Sequence, residues 1–203
     1  MAYTYKDYID QDNILIDGDN EQRFSMYVPF RIQDSNSQVL IIMRNPSKAN
    51  ELNSDMTINN VLSFCHGKYS GVFVANLFPF YAKDPRLLNQ HIGTSHYKKL
   101  MDKNKKTIDE ILDKNPRIKH VIIAWGVNKS KLQGQYEDTI AGILKIVNKH
   151  EKTIFAMRFT SSNQPWHPRN WGGEDSGYQL ELYEWMTDAY EDAYGCRVNH
   201  FCL

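Results

Sequence analysis

Cysteine is scarce in this 203-residue chain: only Cys65, Cys196 and Cys202 occur. Three thiols do not build a disulfide framework, and a reducing cytoplasm is the simplest setting. They also fall short of the thiolate set that an iron–sulfur cluster usually needs. There is no CxxC pair and no HExxH, and Cys196, His200 and Cys202 lack a standard zinc spacing. No metal and no other cofactor is expected. Charge of one sign is not in excess either, since 24 Lys+Arg balance 24 Asp+Glu. A protein devoted to non-specific binding of duplex DNA is usually basic. No apolar run approaches the roughly 20 residues of a membrane span, so no membrane partner is expected. The first residues, MAYTYKDYIDQDN, are polar and acidic, unlike a secretory signal or a transit peptide. Glycine-rich phosphate loops of the GxxxxGK[ST] or GxGxxG type are missing, as is a GxSxG elbow.

What is present is an ordinary globular composition, 41% hydrophobic and 24% charged, without repeats or a linker. One domain over residues 1–203 follows. Four apolar runs read as strands: residues 38–44, 71–77, 118–125 and 153–159. Helices are expected from an N-cap at Ser54 or Asp55 to about His66, over 96–114, over 135–149 and over 178–193. The closing CRVNHFCL suits an edge strand. Alternating strands and helices predict a three-layer α/β/α sandwich with a mostly parallel central sheet. Its strands are near-continuous apolar runs, as strands buried on both faces are.

The charges are unevenly placed. Residues 98–119 hold eight Lys/Arg against four Asp/Glu, whereas residues 174–192 hold seven Asp/Glu and no Lys/Arg. Solvated helix faces account for this most simply. The alternative is a protein-docking face over 178–194, with Tyr178, Tyr183, Tyr190 and Tyr194 among carboxylates.

In open α/β sheets the ligand crevice lies beyond the carboxyl ends of the strands. Four segments should meet there: Asn45-Pro46-Ser47, Asn76-Leu77-Phe78-Pro79, Trp125-Gly126 and Pro165-Trp166-His167-Pro168. Asn45 can orient a water or a carbonyl, or close an Asx-turn. Asn76 offers a donor and an acceptor side by side, matching the edge of a nucleobase, or is a turn residue. Ser47 is a turn hydroxyl or a nucleophile, and Asp55 and Thr57 are helix caps or ligand contacts. His167 can donate a proton or stabilise an anion near neutral pH. Phe78, Phe80, Tyr81, Trp166 and Trp171 offer faces on which a base could stack, or else cover the sheet end as core.

The ordered set Asn45-Pro46-Ser47, Asp55-x-Thr57, Asn76-Leu77-Phe78, Asp84-Pro85, Trp125-Gly126 and His167-Pro168 resembles an uncharacterised domain-of-unknown-function family of bacteria and phages, over about residues 20–170. That resemblance implies no established activity. The layout is also similar, more distantly, to the uracil-DNA glycosylase superfamily. This implies that Asn45 positions the attacking water, Asn76 reads the base edge, Gly126 ends a later strand, and His167 stabilises the departing base anion. Ser47 stands where one branch of that superfamily has Gly. Arg169-Asn170-Trp171-Gly172-Gly173 replaces its serine-rich, DNA-gripping stretch.

The resulting expectation is a protein that recognises a nucleobase, nucleotide or DNA through a uracil-DNA glycosylase-like site, hydrolysing an N-glycosidic bond in DNA or a nucleoside. Asn45 and His167 would be catalytic. Ser47, Asp55, Thr57, Asn76, Phe78, Trp125, Gly126 and Trp166 would bind the base or nucleotide. The alternative is a non-catalytic phage counter-defence protein that captures a nucleotide signal or a host protein.

Overall fold

The computed structural model describes residues 3–32, 35–81, 94–127, 133–172, 182–184 and 199–201. Two strands open the chain, β1 (Leu15–Gly18) and β2 (Arg23–Pro29). The four apolar runs then form β3 (Gln38–Met43), β4 (Gly71–Asn76), β5 (Ile118–Ile123) and β6 (Thr153–Ala156). Between them lie α1 (Met56–Cys65), α2 (Ser95–Lys114) and α3 (Gln133–Lys149). Short strands β7 (Leu182–Glu184) and β8 (Asn199–Phe201) complete a sheet of order β1-β2-β4-β3-β5-β6-β7-β8.

The sheet is mixed, which corrects the expectation of a mostly parallel one. Its centre, β4-β3-β5-β6, is parallel, but β1 and β2 on one flank and β7 and β8 on the other pair antiparallel. Parallel neighbours need a long crossover, and α1, α2 and α3 supply one for each central connection. The few residues between β1 and β2 can only make an antiparallel turn. Both opening strands were missed in the sequence because β1 is mostly exposed and β2 mixes polar with apolar residues.

A second correction concerns the expected helix over 178–193. Residues 182–184 pair with β6 through Phe155↔Glu184 and Ala156↔Tyr183, so that stretch is extended. A short apolar segment is ambiguous by periodicity, and the open edge of β6 offers backbone partners that a helix leaves unused. The remainder of 178–194 lies outside the described residues, as does Asp84-Pro85. The expected C-terminal edge strand is present as β8.

Alternation along the strands buries both faces. Val39, Ile41 and Met43 pack with Ile58, Val61 and Leu62 of α1. Leu40 and Ile42 pack on the other side with Ile108 of α2 and Ile140 and Ile143 of α3. The three layers follow from this pattern. Helix α1 carries the chain from β3 to β4, and α2 carries it back past β3 to β5. That reversal places a switch point at the carboxyl ends of β3 and β5. Because β2 runs against β4, Arg23 at its start lies at the same edge. No helix among the described residues is long and apolar enough to cross a membrane.

Candidate functional site

Backbone bonds tie the strand-end segments together. Leu77 N donates to Met43 O (2.8 Å), Phe78 N to Arg44 O (3.0 Å), Ala124 N to Ile42 O (2.8 Å) and Gly126 N to Pro165 O (3.0 Å). The Arg44 guanidinium donates to Val127 O at 2.8 Å. Gly126 has φ +72°, and a Cβ there would sit 3.0 Å from His167 Cβ. Glycine is therefore required both for the backbone conformation and for the approach of His167. The segments carrying Asn45, Asn76, Gly126 and His167 thus form one edge.

His167 caps a short 3-10 turn (Pro168–Asn170), its Nδ1 accepting from Arg169 N at 3.2 Å. In the neutral ring the proton then belongs on Nε2, which is left as a donor. Burial pushes the His167 pKa down to about 4, with Arg44 and Arg169 adding to the effect and Asp55 opposing it. The ring is accordingly neutral at pH 7. A neutral imidazole donor can stabilise developing negative charge, as other enzymes use it.

Asn76 ends β4 and is fully buried, and neither amide atom has a partner among the described residues. Its backbone is held from the other face of the sheet. Asn104 of α2, also fully buried, donates to Asn76 O (2.9 Å) and Leu77 O (3.3 Å). Asn104 was not recognised in the sequence, although a signal exists. It takes an apolar-face position, three residues after Met101 and four before Ile108.

Arg23 was also missed. In β2, Asp17 pairs with Ser25 but Gly18 pairs with Arg23, so Phe24 is an extra, bulged residue. Bulges re-aim side chains. Phe24 meets Lys103 of α2, with the ammonium 3.9 Å from the ring centroid, and Arg23 turns to the loop that follows β3. There its guanidinium, completely buried, donates to Ala49 O (2.6 Å) and Ser47 Oγ (3.4 Å). Burial lowers its pKa, while Tyr81 and Asp55 support the charge. Asp55 secures the same loop: one carboxylate oxygen accepts from Ile58 N (3.0 Å), capping α1, and the other from Ala49 N (3.1 Å). The 45–55 loop is therefore pinned by Arg23 from the sheet and by Asp55 from the helix.

Unpartnered polar atoms concentrate here. Of six buried side-chain N/O atoms without a hydrogen bond among the described residues, five belong to Arg23, Arg44, Asn76 and Asn104. Buried polar groups are nearly always paired, so such a cluster calls for an explanation. The sixth, Gln38 Oε1, lies at the start of β3, at the opposite end of the sheet.

The other predicted residues divide between locations. Asn45 is half-buried and donates from Nδ2 to Phe80 O at 3.3 Å. Phe78 and Trp125 are buried in the α2/α3 core, Phe78 stacked on Tyr136 (centroids 6.2 Å) and Trp125 Nε1 donating to Gln164 Oε1 (3.1 Å). Trp166 lies on the α1 side beneath the Arg158 guanidinium, 5.4 Å from its ring. Trp171 is buried edge-on against Phe64. Two cavities flank the 46–50 stretch. One, of about 700 Å³, is lined by Gly18, Asp19, Ser47, Lys48, Glu51 and Tyr81 among others. The second, of about 640 Å³, includes Ser47, Lys48, Asp55, Thr57 and Arg169. Among the described residues no group of three or more His, Cys, Asp or Glu is placed to hold a metal.

The fold is an open three-layer α/β sheet with its polar, under-bonded edge at the carboxyl ends of the central strands. The chain belongs to the family described as Protein of unknown function (DUF1643), whose model matches residues 23–169. That span opens on Arg23 and closes on Arg169, enclosing the site residues from both ends. No curated protein and no solved structure shows significant similarity to the chain.

Proposed function

We propose that this protein recognises a nucleobase, in a nucleoside, nucleotide or DNA, at the carboxyl edge of its central strands, and hydrolyses the N-glycosidic bond. The observation that carries the reading is the fully buried, unpartnered amide of Asn76, at an edge where Arg23 and Arg44 also have unpartnered nitrogens. A base edge offers the complementary donor and acceptor. Because both amide atoms are covered, ligand access requires the segments above them to move.

In the chemical step, water attacks the anomeric carbon, the C–N bond breaks, and its electron pair departs with the base. Asn45 has committed Nδ2 to Phe80 O, which leaves Oδ1 to orient the water. His167, neutral and with Nε2–H available, donates to the base anion. The proton released from the water passes to solvent. The resemblance to the uracil-DNA glycosylase superfamily supports the same roles.

The test is release of free base, followed by mass spectrometry, from nucleosides, nucleotides and uracil- or modified-base DNA. Wild type should release base, and Asn45→Ala and His167→Ala should not while remaining folded. Unchanged turnover in both variants would sink the mechanism. A second reading, a binder that retains an intact nucleotide, is favoured by the closure over Asn76. It predicts a co-purifying nucleotide and no product.

A further inference from the structure

The second cavity differs from the first in charge. Its wall carries Lys48 and Arg169, both exposed, against Asp55. Both Asp55 oxygens are already occupied by backbone N–H groups. The first cavity carries Asp19 and Glu51 against Lys48.

Three further features point to an acceptor-rich ligand. Ser47 Oγ accepts from Arg23 at 3.4 Å and keeps its own proton as a donor. Arg23, completely buried and with an unpartnered Nε, stands behind Ser47, which lines both cavities, so its positive charge backs the wall they share. Met56 and Thr57, also in the wall, begin the ten-residue helix α1, and their N–H groups have no intrahelical acceptor. Arg169, in the cavity wall, donates from its backbone N to His167 Nδ1 at 3.2 Å, so the cavity adjoins the proposed reaction centre.

We infer that this cavity is a phosphate subsite and that the ligand is a nucleotide with a terminal phosphate. The inference deepens the base-recognition reading and rests on it for the identity of the rest of the ligand. A terminal phosphate carries more charge and more free oxygens than a diester, which suits a bounded cavity with two cations, a hydroxyl and helix N–H groups. A polymer backbone would instead need a continuous basic track. The neighbouring cavity, with Asp19 and Glu51, interrupts such a track.

Calorimetric titration of the full chain decides this. The probes are the common nucleosides, their 5′- and 3′-monophosphates, inorganic phosphate, and a single-stranded oligonucleotide without terminal phosphates. Variants are Lys48→Ala and Arg169→Ala, both at exposed positions. The expected result is a monophosphate bound at least tenfold tighter than its nucleoside. Each variant should remove most of that advantage and leave nucleoside affinity unchanged. Equal affinity for nucleoside and monophosphate overturns the subsite and leaves base recognition standing. Tighter binding of the oligonucleotide than of any monophosphate also overturns it. Inorganic phosphate bound by wild type and lost in the variants, with no nucleoside binding, sustains the subsite and removes the base-recognition reading instead. Absence of all binding removes both.

Discussion

Gly126 and His167 pack so closely that a single added carbon on the glycine would lie 3.0 Å from His167 Cβ. The contact joins the end of β5 to the loop after β6, and it fixes where the imidazole stands. Gly126→Ala meets both this contact and a positive φ, which costs a non-glycine residue about 1–2 kcal/mol. We expect a stability loss of at least that size in urea unfolding. The variant should also show a larger fall in base release than its stability explains. Unchanged activity in Gly126→Ala would argue against a role for His167.

His167 should stay neutral across the working pH range. Its folded-state pKa is pushed down to about 4, below the ordinary histidine value of 6.5, chiefly by desolvation of the half-buried ring. Between those values the unfolded chain binds more protons, so stability rises with pH. The contribution is fully present above about pH 6.5 and is lost as pH falls toward 4. Urea midpoints of wild type should therefore fall more steeply from pH 7 to pH 5 than those of His167→Gln. An imidazole that titrates near pH 6.5 by NMR would contradict this.

Arg23→Ala removes the donors to Ala49 O and Ser47 Oγ. Losing charge-assisted hydrogen bonds of this kind costs about 1.5–3 kcal/mol. Arg23→Lys should recover only part of the loss, since a point charge cannot reproduce the guanidinium fork. Limited proteolysis should then cut the 45–55 loop faster in the alanine variant than in wild type. An unchanged cleavage rate would mean that Arg23 does not hold that loop.

Asn104→Ala deprives Asn76 O and Leu77 O of their side-chain donor. Leaving buried acceptors unpaired costs about 1–3 kcal/mol. The thermal midpoint should fall, and base affinity should weaken because the end of β4 is no longer held. A lower midpoint with unaltered affinity would confine Asn104 to a structural role.

The central strands and α1, α2 and α3 were legible because their signals are local: apolar runs, amphipathic spacing and the Asp55 cap. The crevice followed from a topological rule applied to those strands. What escaped reading depends on contacts between distant segments. Nothing in the sequence marks Phe24 as a bulge, so nothing pointed Arg23 at Ser47 and Ala49. Phe78 could be read as a rim face or as core because its position along the strand was known but not its face, and the α2/α3 core holds it. The stretch around Leu182 has helical spacing, yet residues 182–184 extend the sheet at β6.

The most direct test of base recognition is a nitrogen–proton correlation titration of the labelled protein with free nucleobases. The expected result is a shift of the Asn76 side-chain amide and the Gly126 backbone amide on adding the recognised base, with resonances of Leu15 and Lys114 unmoved. Shifts confined to residues away from the carboxyl edge, or none with any base, would contradict a nucleobase site at Asn76.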